Sequence, residues 1–398
     1  MARNKNHVNI TSPLLRFHKI FDILKLFART CGINVFAEDF RFGRITFAIF
    51  NMVQLIIALN AYTLWDSISK GKFAFALQNV CIMNTGIQSY AKLVTSVYYQ
   101  KMIRYVCAEI DFMYRTYENE GRHYVKCLNE SLNLLIRITI FMFKLYAVLT
   151  VAEIAVPLYY QLYRKERLPI FDVIIPLVDP ATDWGFMIHQ ICTGIATTLT
   201  GFGNFAADTS AIMMLVHTRL MSRIIKCKFD DLDEVIRETP REQRNTEHMV
   251  KDILEWHQRY LKFTQANSTL MYWGIFIEIT AAYISIIFNM VSIFIGGWTV
   301  APIYLFASYC LLLGFCSMGN LIEVSNEELT TNIYDCMWYE LSVPEQKLLL
   351  IMLNQSQKPN GISLGGLAPL SLNTAVQLTK SIYTVAMLIH SYLSRQNS

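Results

Sequence analysis

Charged residues are scarce in this chain of 398 residues, because Asp, Glu, Lys and Arg make up only 17% of it whereas hydrophobic residues make up 53%. So little charge is hard to reconcile with a soluble domain of this length. Several short motifs of catalysis are missing as well: there is no glycine-rich phosphate loop, no His-Glu-x-x-His and no Cys-x-x-Cys. The eight histidines are dispersed without a metal-ligand pattern. We therefore expect neither an enzyme nor a protein that holds a metal or another cofactor.

Long stretches with almost no charged residue recur along the chain. The first, 45–65, contains no Asp, Glu, Lys or Arg over 21 residues, which is enough for a helix to cross a hydrocarbon core of about 30 Å. The sequence thus predicts an all-α membrane protein, a single domain over 1–398 with seven transmembrane helices. These spans are predicted at about 45–65, 73–99, 138–160, 184–207, 263–295, 299–322 and 369–393.

Basic residues are sorted between the two sides of these predicted spans. The segments on one side hold 26 Lys and Arg residues and those on the other side hold 6, with Lys92, Lys144 and Lys380 inside spans. The positive-inside rule assigns the richer side to the cytoplasm. We therefore expect a cytoplasmic N-terminus, an extracellular C-terminus and basic segments that meet the head groups of membrane lipids. The formal net charge of +4 then requires no nucleic acid as a partner.

Two of the predicted cytoplasmic segments are long and have helical periodicity. The segment at about 217–262 is dense in both charge signs, and apolar residues recur in it at helical spacing. The segment at about 323–357 contains the apolar run 348–353. We expect both to form a cytoplasmic helical anchor region below the membrane. These helices either cap one subunit or pack between subunits, and Trp338 and Tyr339 favour subunit packing because they lack an obvious core.

Six ionisable residues fall within or at the edge of the predicted spans, where charge is costly and often functional: Lys92, Lys144, Glu153, Asp208, Glu278 and Lys380. They either pair with one another or reach the head groups. Lys92 and Lys144 lie toward the inner ends of their spans, so we expect both to snorkel to the membrane surface. Glu153 and Glu278 lie nearer the middle, which leaves a transporter with an acidic proton relay as an alternative.

The last span, predicted at about 369–393, carries a polar stripe at helical spacing, made of Gln377, Ser381, Thr384 and Ser391. Leu388 occupies the remaining position of this stripe. A polar line interrupted by one large apolar side chain suits a pore helix with a hydrophobic constriction that can lose its water and block ions. Alternatively, the hydroxyl groups hydrogen-bond across packed helices.

The outer halves of the second to sixth spans offer apolar and aromatic walls with a few hydroxyl or amide groups. Such a surface suits a small, mostly hydrophobic ligand, although the same residues also suit ordinary packing between helices. The candidates for ligand contact are Phe75, Asn79, Tyr146, Thr150, Met187, Ile188, Ile191, Ile195, Tyr304 and Ala307.

Specific motifs mark the C-terminal third, namely Gly319-Asn320-Leu321, Ser325, Ile333-Tyr334-Asp335-Cys336-Met337-Trp338, Gln357-Lys358-Pro359 and Pro369-Leu370-Ser371-Leu372-Asn373-Thr374. Upstream lie Pro176-Leu177-Val178-Asp179-Pro180 and Asp208. In these residues, and in its length and span order, the chain resembles the insect odorant receptors.

This resemblance implies an odorant-gated, non-selective cation channel, in which a variable ligand-tuning subunit assembles with the family's odorant receptor co-receptor as a heterotetramer. The last spans would line one central pore for permeant cations, and a small volatile organic ligand would bind in the outer pocket. By position, Leu388 matches the family's hydrophobic gate, and Ser391 and Tyr392 its extracellular mouth. The resemblance also implies a multi-pass protein of the plasma membrane of olfactory sensory neurons.

The chain differs from two subgroups of related channels, and these differences bear on which kind of subunit it is. The chain lacks the co-receptor's long insertion after the fourth span and carries Lys380 and His390 where the co-receptor is more apolar, which favours a tuning subunit. Gustatory-type receptor channels are an alternative, but their Thr-Tyr-x5-Gln signature is replaced here by the order Tyr383-Thr384. A small-molecule membrane transporter also fits the composition. Because no charged group is assigned to the outer pocket, we expect neutral, modestly polar volatiles as ligands.

Overall fold

The computed structural model of the chain describes residues 12–38, 40–176, 178–240, 243–295, 298–358 and 361–396. Almost all of this part is α-helical. Ten helices follow one another: α1 (Pro13–Thr30), α2 (Arg44–Ser69), α3 (Phe73–Tyr98), α4 (Gln100–Tyr117), α5 (Arg122–Tyr159), α6 (Asp183–Glu238), α7 (Thr246–Ile295), α8 (Ala301–Asp335), α9 (Val343–Ser356) and α10 (Leu372–Gln396). Two two-residue strands, β1 (Ser363–Leu364) and β2 (Ala368–Pro369), pair in an antiparallel manner before α10.

Local sequence signals explain where several of these helices begin and end. Thr182 caps α6, because its hydroxyl accepts a hydrogen bond from the backbone N–H of Gly185. Ser342 and Glu345 form a reciprocal capping box at the start of α9. At the other end of α5, a π-helical turn at Tyr160–Arg164 follows, and Lys165 then adopts a left-handed conformation with φ of 56°. The chain leaves the helix at that point.

Each of the seven predicted spans falls on a helix of this structure, namely α2, α3, α5, α6, α7, α8 and α10. Four helical segments in the described part of the chain are long and apolar enough to cross a membrane by length and composition: Arg44–Ser69, Arg122–Arg164, Thr246–Ile295 and Ala301–Glu340. The other three helices have a more polar sequence. The all-helical prediction is therefore confirmed, while the number of crossings and the orientation of the termini stay predictions.

Helices α6 and α7 form the centre of the bundle. Helix α6 has 56 residues and is thus about 84 Å long. It packs against α1, α5, α7 and α8, whereas α7 packs against α3, α6, α8 and α10. The predicted anchor segment at 217–262 comprises the end of α6 and the start of α7, and the one at 323–357 comprises the end of α8 and α9. Their helical character is confirmed, and their role as an anchor stays a prediction.

The short hairpin before α10 contacts α8, and this contact accounts for two residues of the C-terminal motifs, Gly319 and Leu370. Gly365 and Gly366 have φ of 56° and 79°, values that favour glycine and allow the tight turn between β1 and β2. A Cβ atom on Gly319 would overlap the carbonyl oxygen of Leu370, so only glycine lets α8 approach the hairpin this closely. The hairpin thereby fixes the start of α10 against α8. Leu177, Pro359 and Asn360 lie outside the described residues.

Candidate functional site

Three ionisable side chains from three helices meet in the interior of the bundle. The Nζ atom of Lys92 on α3 lies 2.7 Å from Oδ1 of Asp208 on α6 and 2.8 Å from Oε2 of Glu278 on α7. The side chain of Lys92 is 13% exposed, and those of the two carboxylates are each 3% exposed. Buried charges need partners because the interior solvates them poorly. The prediction that Lys92 snorkels to the membrane surface is therefore wrong, whereas Lys144 lies on the exposed surface of α5.

A fourth helix joins this ionic cluster through Tyr146 on α5. Its hydroxyl group donates a hydrogen bond to Oδ2 of Asp208, and its side chain is buried. Tyr146 was predicted to contact a ligand. In the structure its polar atom binds a carboxylate of the cluster, so α3, α5, α6 and α7 are tied together at one level of the bundle.

A cavity of about 170 Å³ adjoins the ionic cluster, and we refer to it as the chamber. Its walls are mostly apolar and include residues of early α2, late α3, α6, α7 and α8. Examples are Ile49 and Met52 on α2, Ile275 on α7 and Phe315 on α8. The chamber therefore lies toward the end of the bundle where α2 begins. None of the ten predicted ligand residues lines the chamber, although Tyr146 is hydrogen-bonded to Asp208, which does.

The ten predicted ligand residues divide into an inward and an outward group. Asn79, Tyr146, Tyr304 and Ala307 are buried and Thr150 is half-buried. The side chains of the other five are 44–55% exposed on the outer surface of the bundle: Phe75, Met187, Ile188, Ile191 and Ile195. Four of these lie on one stripe of α6. A ligand between the helices would meet the inward group, and the assignment of all ten stays a prediction.

Buried polar residues that were not among the predicted ligand contacts lie beside this inward group. Glu153 is buried and accepts a hydrogen bond from the hydroxyl of Tyr304. On the face of α6 opposite the apolar stripe, His189, Thr193 and Thr197 are buried, and Nε2 of His189 lies 2.9 Å from the carbonyl oxygen of Val173. The sequence contained a signal for their burial, because a polar residue in an apolar span usually faces the bundle interior.

Helix α10 is buried on one face only. Ala375, Ile382 and Ala386 are fully or almost fully buried, where α10 packs against α7 and α8. The six predicted pore residues are all exposed in this single chain: Gln377, Ser381, Thr384, Leu388, Ser391 and Tyr392. Leu388 is 68% exposed. The hydroxyl group of Ser381 lies 2.8 Å from that of Tyr283 on α7, so the polar stripe borders α7 at this position.

Long apolar helices, and an ionic cluster enclosed between them, are typical of a helical, multi-pass membrane protein. The chain belongs to the insect odorant receptor family, because the sequence profile described as 7tm Odorant receptor matches residues 72–383. This is a family of ligand-gated cation channels, and its members are receptors rather than enzymes.

Individual relatives agree with this assignment. Odorant receptor 83c of Drosophila melanogaster is 20% identical over 395 residues, which cover 95% of this chain and 98% of that protein. Odorant receptor 22b of the same species is 21% identical over 235 residues, 58% of each chain. The fold matches that of the insect olfactory receptor OR5 from Machilis hrabei in complex with eugenol, with a TM-score of 0.77 over 95% of this chain and 99% of that chain, at 11% identity.

Proposed function

We propose that this chain is the ligand-tuning subunit of an odorant-gated, non-selective cation channel, in which it assembles with the family's co-receptor as a heterotetramer. The observation that carries this proposal is the exposed polar stripe of α10. A polar face at membrane depth needs water or polar protein beside it. In the heterotetramer, α10 and the last helices of the other subunits would surround one axis, and the stripe would then meet the water of a pore.

Leu388 is the gate in this proposal. It is the large apolar residue on the stripe, and its side chain is exposed, so it would meet the side chains at the corresponding position of the other subunits at the axis. A ring of this kind closes a pore by excluding water. Ser391 and Tyr392 follow toward the extracellular mouth, and Thr384, Ser381 and Gln377 follow toward the cytoplasm. This direction corresponds to seven crossings with a cytoplasmic N-terminus and an extracellular C-terminus.

The segments at 217–262 and 323–357 would form the anchor between subunits. Support comes from large apolar side chains that stay exposed in the single chain: Tyr339 is 59% exposed, Leu350 is 65% exposed and Ile351 is 63% exposed. Trp338 is 43% exposed. A soluble surface rarely presents such a group of residues unless it binds another protein. The anchor would lie in the cytoplasm, below the plasma membrane of an olfactory sensory neuron.

The volatile ligand would bind in the outer half of the bundle, beside Asn79, Thr150, Tyr304 and Ala307. The related OR5 receptor was solved in complex with eugenol, which supports ligand binding by this fold. A ligand opens the pore only if it prefers the open arrangement of the helices. Moving the open population from 1% to 99% takes about 5.5 kcal/mol of such preference, which several subunits can share.

Whole-cell current from cells that express this chain with and without an insect odorant receptor co-receptor tests the proposal. A panel of volatiles should evoke cation current only when both chains are present. Current from this chain alone would make it a self-sufficient channel. Silence in both cases, with the chain at the cell surface and a known receptor pair responding to the same panel, would contradict the proposal and favour a transporter.

A further inference from the structure

The chamber beside the ionic cluster has the size of a small ring-shaped molecule. Its volume is about 170 Å³, and an apolar cavity of about 150 Å³ is known to hold benzene. Met52 on α2, Ile275 on α7 and Phe315 on α8 supply apolar wall atoms. At one end, the wall is formed by the charged groups of Lys92, Asp208 and Glu278. The chamber is therefore amphipathic, with an apolar body and ionisable side chains in one part of its wall.

The polar end of the chamber has more acidic than basic side chains. Among the described residues that line the chamber, Lys92 is the basic one, and Asp208 and Glu278 are the acidic ones. Two carboxylates thus share one ammonium group, which lies 2.7 Å and 2.8 Å from them. The hydroxyl of Tyr146 adds a hydrogen bond to Asp208 but no charge. A buried charge that is only partly compensated attracts a counter-charge.

Glu278 is the carboxylate with remaining hydrogen-bond capacity. It is only 2% exposed. Its Oε2 atom lies 2.8 Å from Nζ of Lys92, and the side chain of Gln88 is a second hydrogen-bond partner of this carboxylate. The two oxygens of a carboxylate offer about four acceptor positions, so these two donors leave some of them open. A ligand that brings an N–H donor and a positive charge would satisfy both needs at once.

We propose that the chamber is a second ligand site, separate from the outer-half pocket, and that it takes a small protonated amine with a ring-sized apolar body. The ammonium group binds Oε1 of Glu278, and the apolar body lies against Met52, Ile275 and Phe315. An acid is rejected by the two carboxylates. A neutral alcohol of the same shape fits the walls but leaves the excess negative charge uncompensated, so it binds more weakly.

Gly274 allows the chamber to be filled without disturbing the cluster. It lines the chamber, and a Cβ atom at this position would meet nothing within 4 Å. A leucine at position 274 can therefore extend into open space. Gly314 on α8 has the same open surroundings but does not belong to the chamber lining. It provides a matched control for the effect of a new leucine on a helix.

The test measures the thermal stability of the purified full-length chain in nanodiscs at pH 7.5 against increasing concentrations of benzylamine or its neutral analogue, benzyl alcohol. We expect a saturable rise in Tm with benzylamine, at concentrations roughly tenfold or more below those needed for benzyl alcohol, since a hydrogen bond to a charged group is the stronger one. Gly274→Leu should lose the saturable rise, and Gly314→Leu should keep it. Glu278→Gln should bind benzylamine no better than benzyl alcohol.

Three results would overturn this proposal: no saturable rise with benzylamine in the parent chain, equal affinity for the amine and the alcohol, or an unchanged benzylamine affinity in Gly274→Leu. If Glu278→Gln does not fold, the comparison of amine and alcohol in the parent chain decides the charge preference. The assay reads binding and needs no current. Odorant-evoked currents that persist in Gly274→Leu would separate this site from the proposed channel function.

Discussion

Helices α7 and α10 both carry an ionisable residue within an apolar sequence, but the chain surrounds them differently. Over the most apolar window of α7, 56% of the residues are buried, and its Glu278 pairs with Lys92 in the interior. Helix α10 buries the face that holds Ile382, while Lys380 on the opposite side is exposed. The single chain therefore encloses the apolar part of α7, whereas it leaves one face of α10 exposed.

This difference indicates which interactions are made within a subunit and which are left for the assembly. Glu278 and Ser285 of α7 have the partners Lys92 and Asn84 on α3, and α7 packs against α3, α6, α8 and α10. The polar face of α10 requires water or another subunit. A change in the enclosed region should thus affect folding of the chain, whereas a change on the open face of α10 should affect the assembled channel.

The largest effect is expected from Lys92→Met, which removes the positive charge between Asp208 and Glu278. Leaving two buried carboxylates without their partner should cost about 3–5 kcal/mol of folding free energy, so we expect loss of the chain from the cell surface and a lower Tm. Lys380→Met, on the exposed side of α10, is the matched control and should retain surface expression. Equal surface expression of both variants would remove the distinction between the two helices.

Substitution on the open face of α10 should alter gating without unfolding the chain. In Leu388→Ser, the apolar ring at the pore axis becomes polar and holds water, so co-expression with the co-receptor should give a standing cation current severalfold above that of the parent. Val376→Ser is a suitable control, because Val376 is an exposed apolar residue of the same helix that lies off the polar stripe. A closed pore in Leu388→Ser would contradict its role as the gate.

The smallest effect is expected at a third kind of site, a neutral polar side chain of α6 that is buried in the bundle. His217 is fully buried, Nδ1 donates to the carbonyl oxygen of Met213, and Nε2 accepts from Tyr114. Burial lowers the pKa of His217 from 6.5 to about 4. Protonation thus favours the unfolded chain. The stability contributed by the neutral ring is present above pH 6.5 and is lost as the pH falls toward 4.

At pH 5.5 this loss should be about 1 kcal/mol. We expect the fall in Tm between pH 7.5 and pH 5.5 to be smaller in His217→Gln than in the parent chain, whatever the absolute Tm of the variant. His248→Gln is the control, since His248 is exposed on α7 and should leave the pH dependence unchanged. An identical pH dependence in His217→Gln and the parent would contradict the assignment of a neutral, buried ring.

The helices could be predicted from the sequence because each apolar stretch has the length that a membrane imposes, and all seven stretches lie on helices. The polar stripe of α10 was also found, since helical spacing alone decides which of its residues share a face. The pairing of Lys92 with Asp208 and Glu278 was not predicted. Their positions lie 116 and 186 residues from Lys92 along the chain, and only the packing of three helices brings them together.

Which of the proposed pocket residues face the interior was only partly predictable for a similar reason. Residues of suitable chemistry were selected, but Ile188 and Ile191 face outward while His189 and Thr193 face inward. In a membrane, apolar side chains suit both the lipid and the interior, so hydrophobicity does not decide which face of α6 is enclosed. The few polar residues on a span carry more information about its buried face than the many apolar ones.

The most direct test of the open face of α10 is whether its polar stripe contacts water in the assembled channel. Thr384→Cys, on the stripe, and Ala386→Cys, on the buried face, should be compared with the parent chain during application of a charged, membrane-impermeant methanethiosulfonate reagent, with the current as the readout. We predict that the reagent changes the current of Thr384→Cys and leaves those of Ala386→Cys and the parent unchanged. Modification of Ala386→Cys but not Thr384→Cys would mean that the stripe does not line the pore.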